Sequence, residues 1–275
     1  MEKDPFHLQN ESILTLKEWN AMNENLVTGF TTKRGGFSTN FFESLNVGLH
    51  VLDDKQVVVK NRDKIARQID IPLSHWVFAD QVHKEHIQKV SKRDRSAGTT
   101  SYETTISKSD GLYTNEMNTV LALCFADCVP LYFYAPTHHM IGLAHAGWKG
   151  TVKNIAGNML TLWTEKERID PKDIYVSIGP SIGSCCYQVD DRVIDGVKKC
   201  LQKDANKTYT EVGRGQYRIN LKLVNKLICL QFGVSEQNIS VSEYCTSCCD
   251  RLFFSHRRDQ GKTGRMMSFI GLKEV

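Results

Sequence analysis

Short apolar runs alternate with polar turns through the middle of the chain: Thr119-Val-Leu-Ala-Leu-Cys-Phe-Ala, Pro130-Leu-Tyr-Phe-Tyr-Ala and Met140-Ile-Gly-Leu-Ala-His. Apolar runs of this length, bounded by turn residues, predict buried strands. Pro136 to His139 then forms the turn of a hairpin between the second and third. Directly afterwards the period changes. Val152, Ile155, Met159, Leu162 and Trp163 share one helical face between Thr151 and Arg168, and Pro171 closes the segment. Ile174 to Ile178 predicts a strand, and Asp190 to Gln202 a helix capped by Asp190 or Asp191. Asn220 to Phe232 predicts a helix ended by Gly233, and Arg265 to Leu272 a last strand. Ser91 to Lys108 is polar and without period, which predicts a surface loop. Three strands before the first long helix break the rhythm of a fully parallel sheet, so the pattern predicts an α+β fold with mixed sheets.

The chain has 275 residues, 41% of them apolar, enough to bury a sizeable core. It carries neither a linker-like stretch nor an internal repeat, so one domain over residues 1–275 is expected. Formal charges sum to +4 and are mixed along the chain, which argues against nucleic acid or a membrane as partner. The N-terminal stretch has no apolar run suited to secretion, so a cytoplasmic location is expected. Nine cysteines without an export signal are then reduced thiols, available as metal ligands or nucleophiles.

The densest reactive cluster is Ala126-Asp127-Cys128-Val129-Pro130, followed at the next strand end by His145-Ala146-Gly147-Trp148-Lys149-Gly150. A hairpin would bring Cys128 and His145 to the same sheet end. His83, after the apolar run Trp76-Val-Phe-Ala, offers a second imidazole at a strand end. Zinc suits one thiolate with two imidazoles, and three protein ligands leave a fourth position for water or substrate. Taken singly, each of the three is an ordinary buried thiol or structural histidine. Cys245-x-x-Cys248-Cys249 has metal-knuckle spacing, but no second CxxC completes a four-thiolate set, so its thiols are expected to be buried or adventitious. Arg34 and Arg257, in the segments TTKRGGFS and SHRRD, offer guanidiniums to an anion, or form charged turns; Asn46 orients substrate or makes a turn.

Taken together, TTKRGGFS, SLNVGLH, DQVH, SDGLYT, ADCVPLYFY, IGLAHAGWKGT, IGPSIGSCCYQV and FFSHRRDQGKTGRM resemble the YfiH-type laccase-domain family, also called multicopper polyphenol oxidoreductases. The resemblance implies a layered α/β/β/α sandwich and zinc held by His83, Cys128 and His145. It implies a purine nucleoside phosphorylase acting on adenosine, inosine and methylthioadenosine with phosphate, with adenosine deaminase activity. Cys128, His145 and Asp110 in SDG are then the catalytic candidates, Asp110 as a proton carrier. Arg34, Asn46, Lys149 and Arg257 are the substrate-binding candidates. Lys149 stands where the family often has Arg, which would lose bidentate contact with a phosphate.

Three rival functions attach to the same residues. Copper could occupy the same site and give weak polyphenol oxidation, but laccases of the multicopper class need about ten histidines with His-x-His pairs. This chain has nine histidines and no such pair. Cys128 with His145 as base would make a cysteine hydrolase, and cell-wall editing of a muramyl-amino acid has been linked to related proteins. A non-enzymatic zinc scaffold is the third. Oligomeric state is not legible in the sequence.

Overall fold

Alternation within the central strands sets the architecture, because both faces of each strand are buried. In Val129–Ala135, Val129, Leu131, Phe133 and Ala135 pack with the helices that follow, whereas Tyr132 and Tyr134 enter a second apolar cluster on the opposite side. In Val120–Phe125, Leu121, Leu123 and Phe125 enter that second cluster, and Val120, Ala122 and Cys124 face a third. The computed structural model, which describes residues 4–201 and 203–274, therefore contains two sheets stacked face to face.

The first sheet runs in the order Phe6–Leu8, Ile13–Leu16, Leu26–Thr31, Met266–Leu272, Val120–Phe125, Trp76–Phe78. The second runs Ile239–Val241, Tyr175–Ile178, Val129–Ala135, Met140–Ala146, Gly111–Thr114, Ile87–Lys89. Both are mixed, with antiparallel centres and parallel pairing at Trp76–Phe78 in one and at both edges of the other. The helix Lys55–Gln68 covers the first sheet, and helices Trp148–Val152, Ile155–Thr161, Asp191–Leu201 and Leu221–Gln231 cover the second. This is the expected α+β, four-layer α/β/β/α sandwich. A small sheet of Gln188–Asp190, Gln216–Ile219 and Tyr209–Gly213 is added beside it.

The predicted hairpin forms in register, with Pro130 opposite His145 and Val129 opposite Ala146. Its turn is a short 3-10 segment, Pro136–His138, closed by His139 at φ 48°. The predicted helix from Thr151 to Arg168 begins earlier, at Trp148, and is broken at Asn154, whose φ of 65° cannot continue a right-handed helix. Leu221–Gln231 is followed as expected by Gly233, at φ 88°, and at its start the Asn220 side chain accepts the N–H of Leu223. Asp191–Leu201 matches its prediction, whose end at Gln202 lies outside the described residues.

Lys55–Gln68 was not expected, and it precedes the three central strands that were taken to come before any long helix. Its buried stripe contains Asn61 and Arg62 among Val58, Ile65 and Ala66, which disguises the apolar period. Both polar side chains are satisfied by backbone carbonyls, Asn61 Nδ2 donating to Asn46 O at 2.8 Å and Arg62 Nε to Val47 O at 2.7 Å. Ser91 to Lys108 is irregular as predicted, but it does not simply run over the surface, since Tyr102 and Thr105 line an internal cavity.

Gly29 sits directly opposite Phe269 across the first sheet, and a Cβ there would overlap the Phe269 ring. The ring thus covers the bare glycine. Gly29→Ala is expected to destabilise the fold by about 1–3 kcal/mol through overpacking, read as a lower urea midpoint at unchanged slope.

Candidate active site

One carboxylate organises the open end of the two sheets. Asp110 immediately precedes the strand Gly111–Thr114, which pairs with Met140–Ala146. It is fully buried and accepts four hydrogen bonds, two on each oxygen. His83 N and His145 Nδ1 donate to Oδ1 at 2.9 and 2.8 Å; Val82 N and Lys84 N donate to Oδ2 at 3.2 and 2.8 Å. Every lone-pair direction of the carboxylate is taken. Asp110 thereby wraps the Val82–Lys84 turn, with His83 at φ 58°, and fixes the His145 ring so that Nε2 is free. Burial pushes the Asp110 carboxyl up, but His145 and the N–H groups of Lys84 and His83 outweigh it and leave it below the usual carboxylate range.

Asp110, expected as a proton carrier, thus stands behind His145 with all four acceptor positions occupied, in contact with the imidazole and not with the cavity.

His83, Cys128 and His145 converge as the sequence predicts. One ligand atom from each lies within 4.8 Å of the other two. The His83 and His145 rings meet edge to face, with centroids 4.8 Å apart. Gly147 leaves room beside them: a Cβ there would stand 3.0 Å from Cys128 Sγ and 3.3 Å from His83 Cδ2. Burial pushes the Cys128 thiol up, but His145 and His83 reverse this and bring it down to about 6. Burial likewise lowers His145, and the Cys128 and Asp110 charges more than compensate, raising it to about 9. Without metal the two form a thiolate–imidazolium pair. Thiolate, two imidazoles and a carboxylate behind one of them is a donor set suited to a divalent ion.

These groups sit at the base of a cavity of about 490 Å³, within the range of small-molecule sites. Tyr102, Trp148 and Tyr187 supply aromatic surface. Arg62, Lys149, Arg257 and Arg265 supply cations, against one lining carboxylate, Asp127. Desolvation and the guanidiniums of Arg265 and Arg62 bring His50 down to about 4, so it lines the cavity as neutral imidazole. Asp127, at φ 82°, accepts from Thr246 Oγ1 at 2.6 Å, Ser255 Oγ at 3.0 Å and Arg257 N at 2.7 Å, and so holds the Arg257 loop over the site. Arg257 in turn lies 5.0 Å over the Tyr187 ring.

Lys149 and Arg257 therefore reach the same cavity as the three ligands. Arg34 and Asn46 do not. Arg34 is exposed in a separate hollow with Glu11, Glu43 and Asp259. Asn46 is fully buried, and its side chain bonds Asp53, Gly48 N and Arg265 N. Its part is the turn, not the ligand. Tyr102, Tyr187 and Arg265 were missed because they come from an irregular loop, a loop after a strand and a strand edge, with no local pattern to mark them. Of the Cys245-x-x-Cys248 pair, Cys245 is buried as expected and Cys248 is exposed, and Cys185, Cys186, Cys245 and Cys248 form a second group with all ligand atoms within 4.8 Å.

Fold and site together define a metal-competent α+β sandwich with a cationic, aromatic-walled cavity at one end of its sheets. Residues 27–273 match the family described as multi-copper polyphenol oxidoreductase laccase, and the chain belongs to that family. It is 53% identical over 274 residues to purine nucleoside phosphorylase YlmD of Bacillus subtilis (strain 168), covering 98% of each chain. The crystal structure of YlmD from Geobacillus stearothermophilus superposes with a TM-score of 0.96 at 50% identity, over 98% of this chain and 100% of that one. A hypothetical protein YfiH from Bacillus licheniformis superposes with a TM-score of 0.95, also at 50% identity.

The thiolate–imidazolium pair gives a pH signature. In chelator-treated protein, alkylation of Cys128 by iodoacetamide is expected to titrate with a midpoint near pH 6. Reaction is full above that pH and lost as pH falls through it, well below the range of an ordinary thiol. His145→Gln removes the larger stabilising charge and moves the midpoint back up. Peptide mass spectrometry of the labelled site reads both.

Proposed function

We propose that the chain is a cytoplasmic purine nucleoside phosphorylase that cleaves adenosine, inosine and methylthioadenosine with phosphate and also deaminates adenosine, with zinc held by His83, Cys128 and His145. The observation that carries this reading is the charge of the cavity. Four cations and one already engaged carboxylate line a space walled in part by Phe78, Tyr102, Trp148 and Tyr187, beside the His83–Cys128–His145 group. An anion and a flat, partly apolar ring fit such a cavity together. The relatives named purine nucleoside phosphorylase support a purine nucleoside and phosphate as the substrate class.

In phosphorolysis an oxygen of hydrogen phosphate bonds to C1′ of the nucleoside, and the C1′–N9 bond breaks with its electron pair leaving on the purine, which takes the proton the phosphate gives up. Lys149 and Arg257, both exposed at the cavity edge, bind the phosphate and favour its approach as an anion. Tyr187, backed by the Arg257 guanidinium, offers a face on which the purine stacks. The His145 ring is held by Asp110, and the same carboxylate fixes the backbone of His83 through its N–H, so the His145 ring keeps its orientation during turnover. In deamination the oxygen of a water bonds to the purine C6, the C6–N bond breaks and the amino group leaves as ammonia with a proton from that water; His83, Cys128 and His145 would hold a zinc ion there, which would supply Lewis-acid activation of the water.

Among the described residues, no helix is long and apolar enough to cross a membrane. Copper oxidation of phenols gains no support from the ligand count, since the histidine-containing group offers two imidazoles, far from the set a trinuclear centre needs.

Cys128→Ser is expected to lose the zinc held with His83 and His145, and both activities with it. Ribose 1-phosphate from adenosine plus phosphate reads phosphorolysis, and inosine formed without phosphate reads deamination. Retained turnover in Cys128→Ser protein that has lost this ion overturns the proposal. Asp110→Asn is expected to lower metal affinity about 10–100-fold, because the amide donates where the carboxylate accepts and frees the His145 ring. Metal titration against a chromogenic chelator measures it.

A further inference from the structure

The second thiol group lies outside the cavity and is unused by the proposed reaction. Cys185 and Cys186 follow the turn after the strand Tyr175–Ile178, and Cys245 and Cys248 come from a separate loop after Ile239–Val241. The two loops are joined by a bridge between Ser181 and Cys245, with Thr246 N donating to Ser181 O at 3.1 Å. This places all four Sγ atoms within 4.8 Å of one another. Cys248 Sγ lies 3.4 Å from Cys185 Sγ and 3.3 Å from Cys186 Sγ.

Those distances exclude bonded pairs and suit a shared ion. A disulfide needs sulfurs about 2.05 Å apart, whereas four thiolates around a tetrahedral zinc, each at about 2.3 Å, sit about 3.8 Å from one another. Cys248 is also equally close to two partners, which a disulfide cannot satisfy. Sulfurs this close surround one ion; a cluster of several irons would hold them further apart.

The surroundings are built for thiolates. Gly183 N donates to Cys245 Sγ at 3.2 Å, and a Cβ at Gly183 would come within 3.2 Å of Cys185 Sγ and 3.3 Å of Cys245 Cβ. Cys249 N donates to Cys245 O at 2.9 Å and closes the Cys-x-x-Cys turn. Beneath it the buried Lys222 ammonium donates to Ser242 O at 2.6 Å and Tyr244 O at 2.9 Å, a fixed positive charge under the loop that carries Cys245. Backbone N–H donors and a buried cation are what a tetrathiolate with net negative charge needs around it.

We propose that Cys185, Cys186, Cys245 and Cys248 bind a structural zinc ion that fastens the two loops forming one wall of the cavity. The first loop carries Ile182 and Tyr187, which line the cavity. The second carries Thr246, whose hydroxyl holds Asp127 and with it the Arg257 loop. With four thiolates the site is closed, without the open position of the His83–Cys128–His145 group.

Zinc content of protein purified under reducing conditions tests this independently of the catalytic reading. Wild type is expected to carry two zinc ions per chain, Cys128→Ser one, and Cys185→Ser/Cys245→Ser one. Cobalt-substituted Cys128→Ser protein is expected to keep the intense thiolate-to-metal absorption of a tetrathiolate. If the double variant fails to fold, wild type still decides: iodoacetamide should leave Cys185 and Cys248 unlabelled, despite their exposure, until a mercurial releases the second ion into a chromogenic chelator. Zinc-free Cys128→Ser protein, free alkylation of Cys185 and Cys248 in zinc-loaded wild type, iron in place of zinc, or a disulfide mass under non-reducing conditions would each overturn the proposal.

Discussion

Burial of the Asp110 carboxylate is the constraint on which the active end of the molecule depends. An ion of that kind costs several kcal/mol to bury unless its acceptor sites are filled, and here three backbone N–H groups and one imidazole fill them. The donors come from two places in the chain, the Val82–Lys84 turn and the end of the strand Met140–Ala146. Satisfying one carboxylate therefore brings His83 to His145. The hairpin register brings Cys128, one residue before the strand Val129–Ala135, to the same end. Geometry at the ligands is thus inherited from a hydrogen-bond requirement one layer behind them.

The cavity has a comparable logic. Its floor is set by strand ends and is rigid; its walls are loops, held by polar side chains that reach from one loop to the next. Asp127 is the junction, fixed in a left-handed conformation and bonded to Thr246, Ser255 and Arg257. Arg62 performs a similar task on the other side, donating to Val47, Gly98 and Thr99 carbonyls while stacking 3.8 Å over Phe78. Charges used in this way are spent on architecture. Lys149 and Arg257 are exposed at the cavity edge, Arg257 with Nη1 donating to Gln188 O at 3.0 Å.

Membership in a family described as multi-copper laccase stands beside relatives named as phosphorylases, and the residues help to reconcile the two. A thiolate and two imidazoles attract copper as readily as zinc, so the same three side chains accommodate a description by metal and a description by reaction. The cationic, aromatic cavity around them is suited to an anion and a planar base.

The sequence by itself determined the central strands, the hairpin, the capped helix Leu221–Gln231 and the ligand types at strand ends, because each is a short-range consequence of period, turn residues or residue chemistry. It also placed Lys149 and Arg257 near the ligands through local segments and a family resemblance. It could not show the helix Lys55–Gln68, whose buried face carries Asn61 and Arg62 in place of apolar residues, since only their carbonyl partners from distant loops make that burial tolerable. Nor could it separate Arg34 and Asn46 from the cavity, or bring Cys185 and Cys186 to Cys245 and Cys248 across some sixty residues. Those outcomes are decided by which loops the stacked sheets leave side by side. Asp110 shows the division most clearly: its residue type suggested a proton carrier, and only the tertiary structure, by filling all its acceptor sites, made it the support of His145.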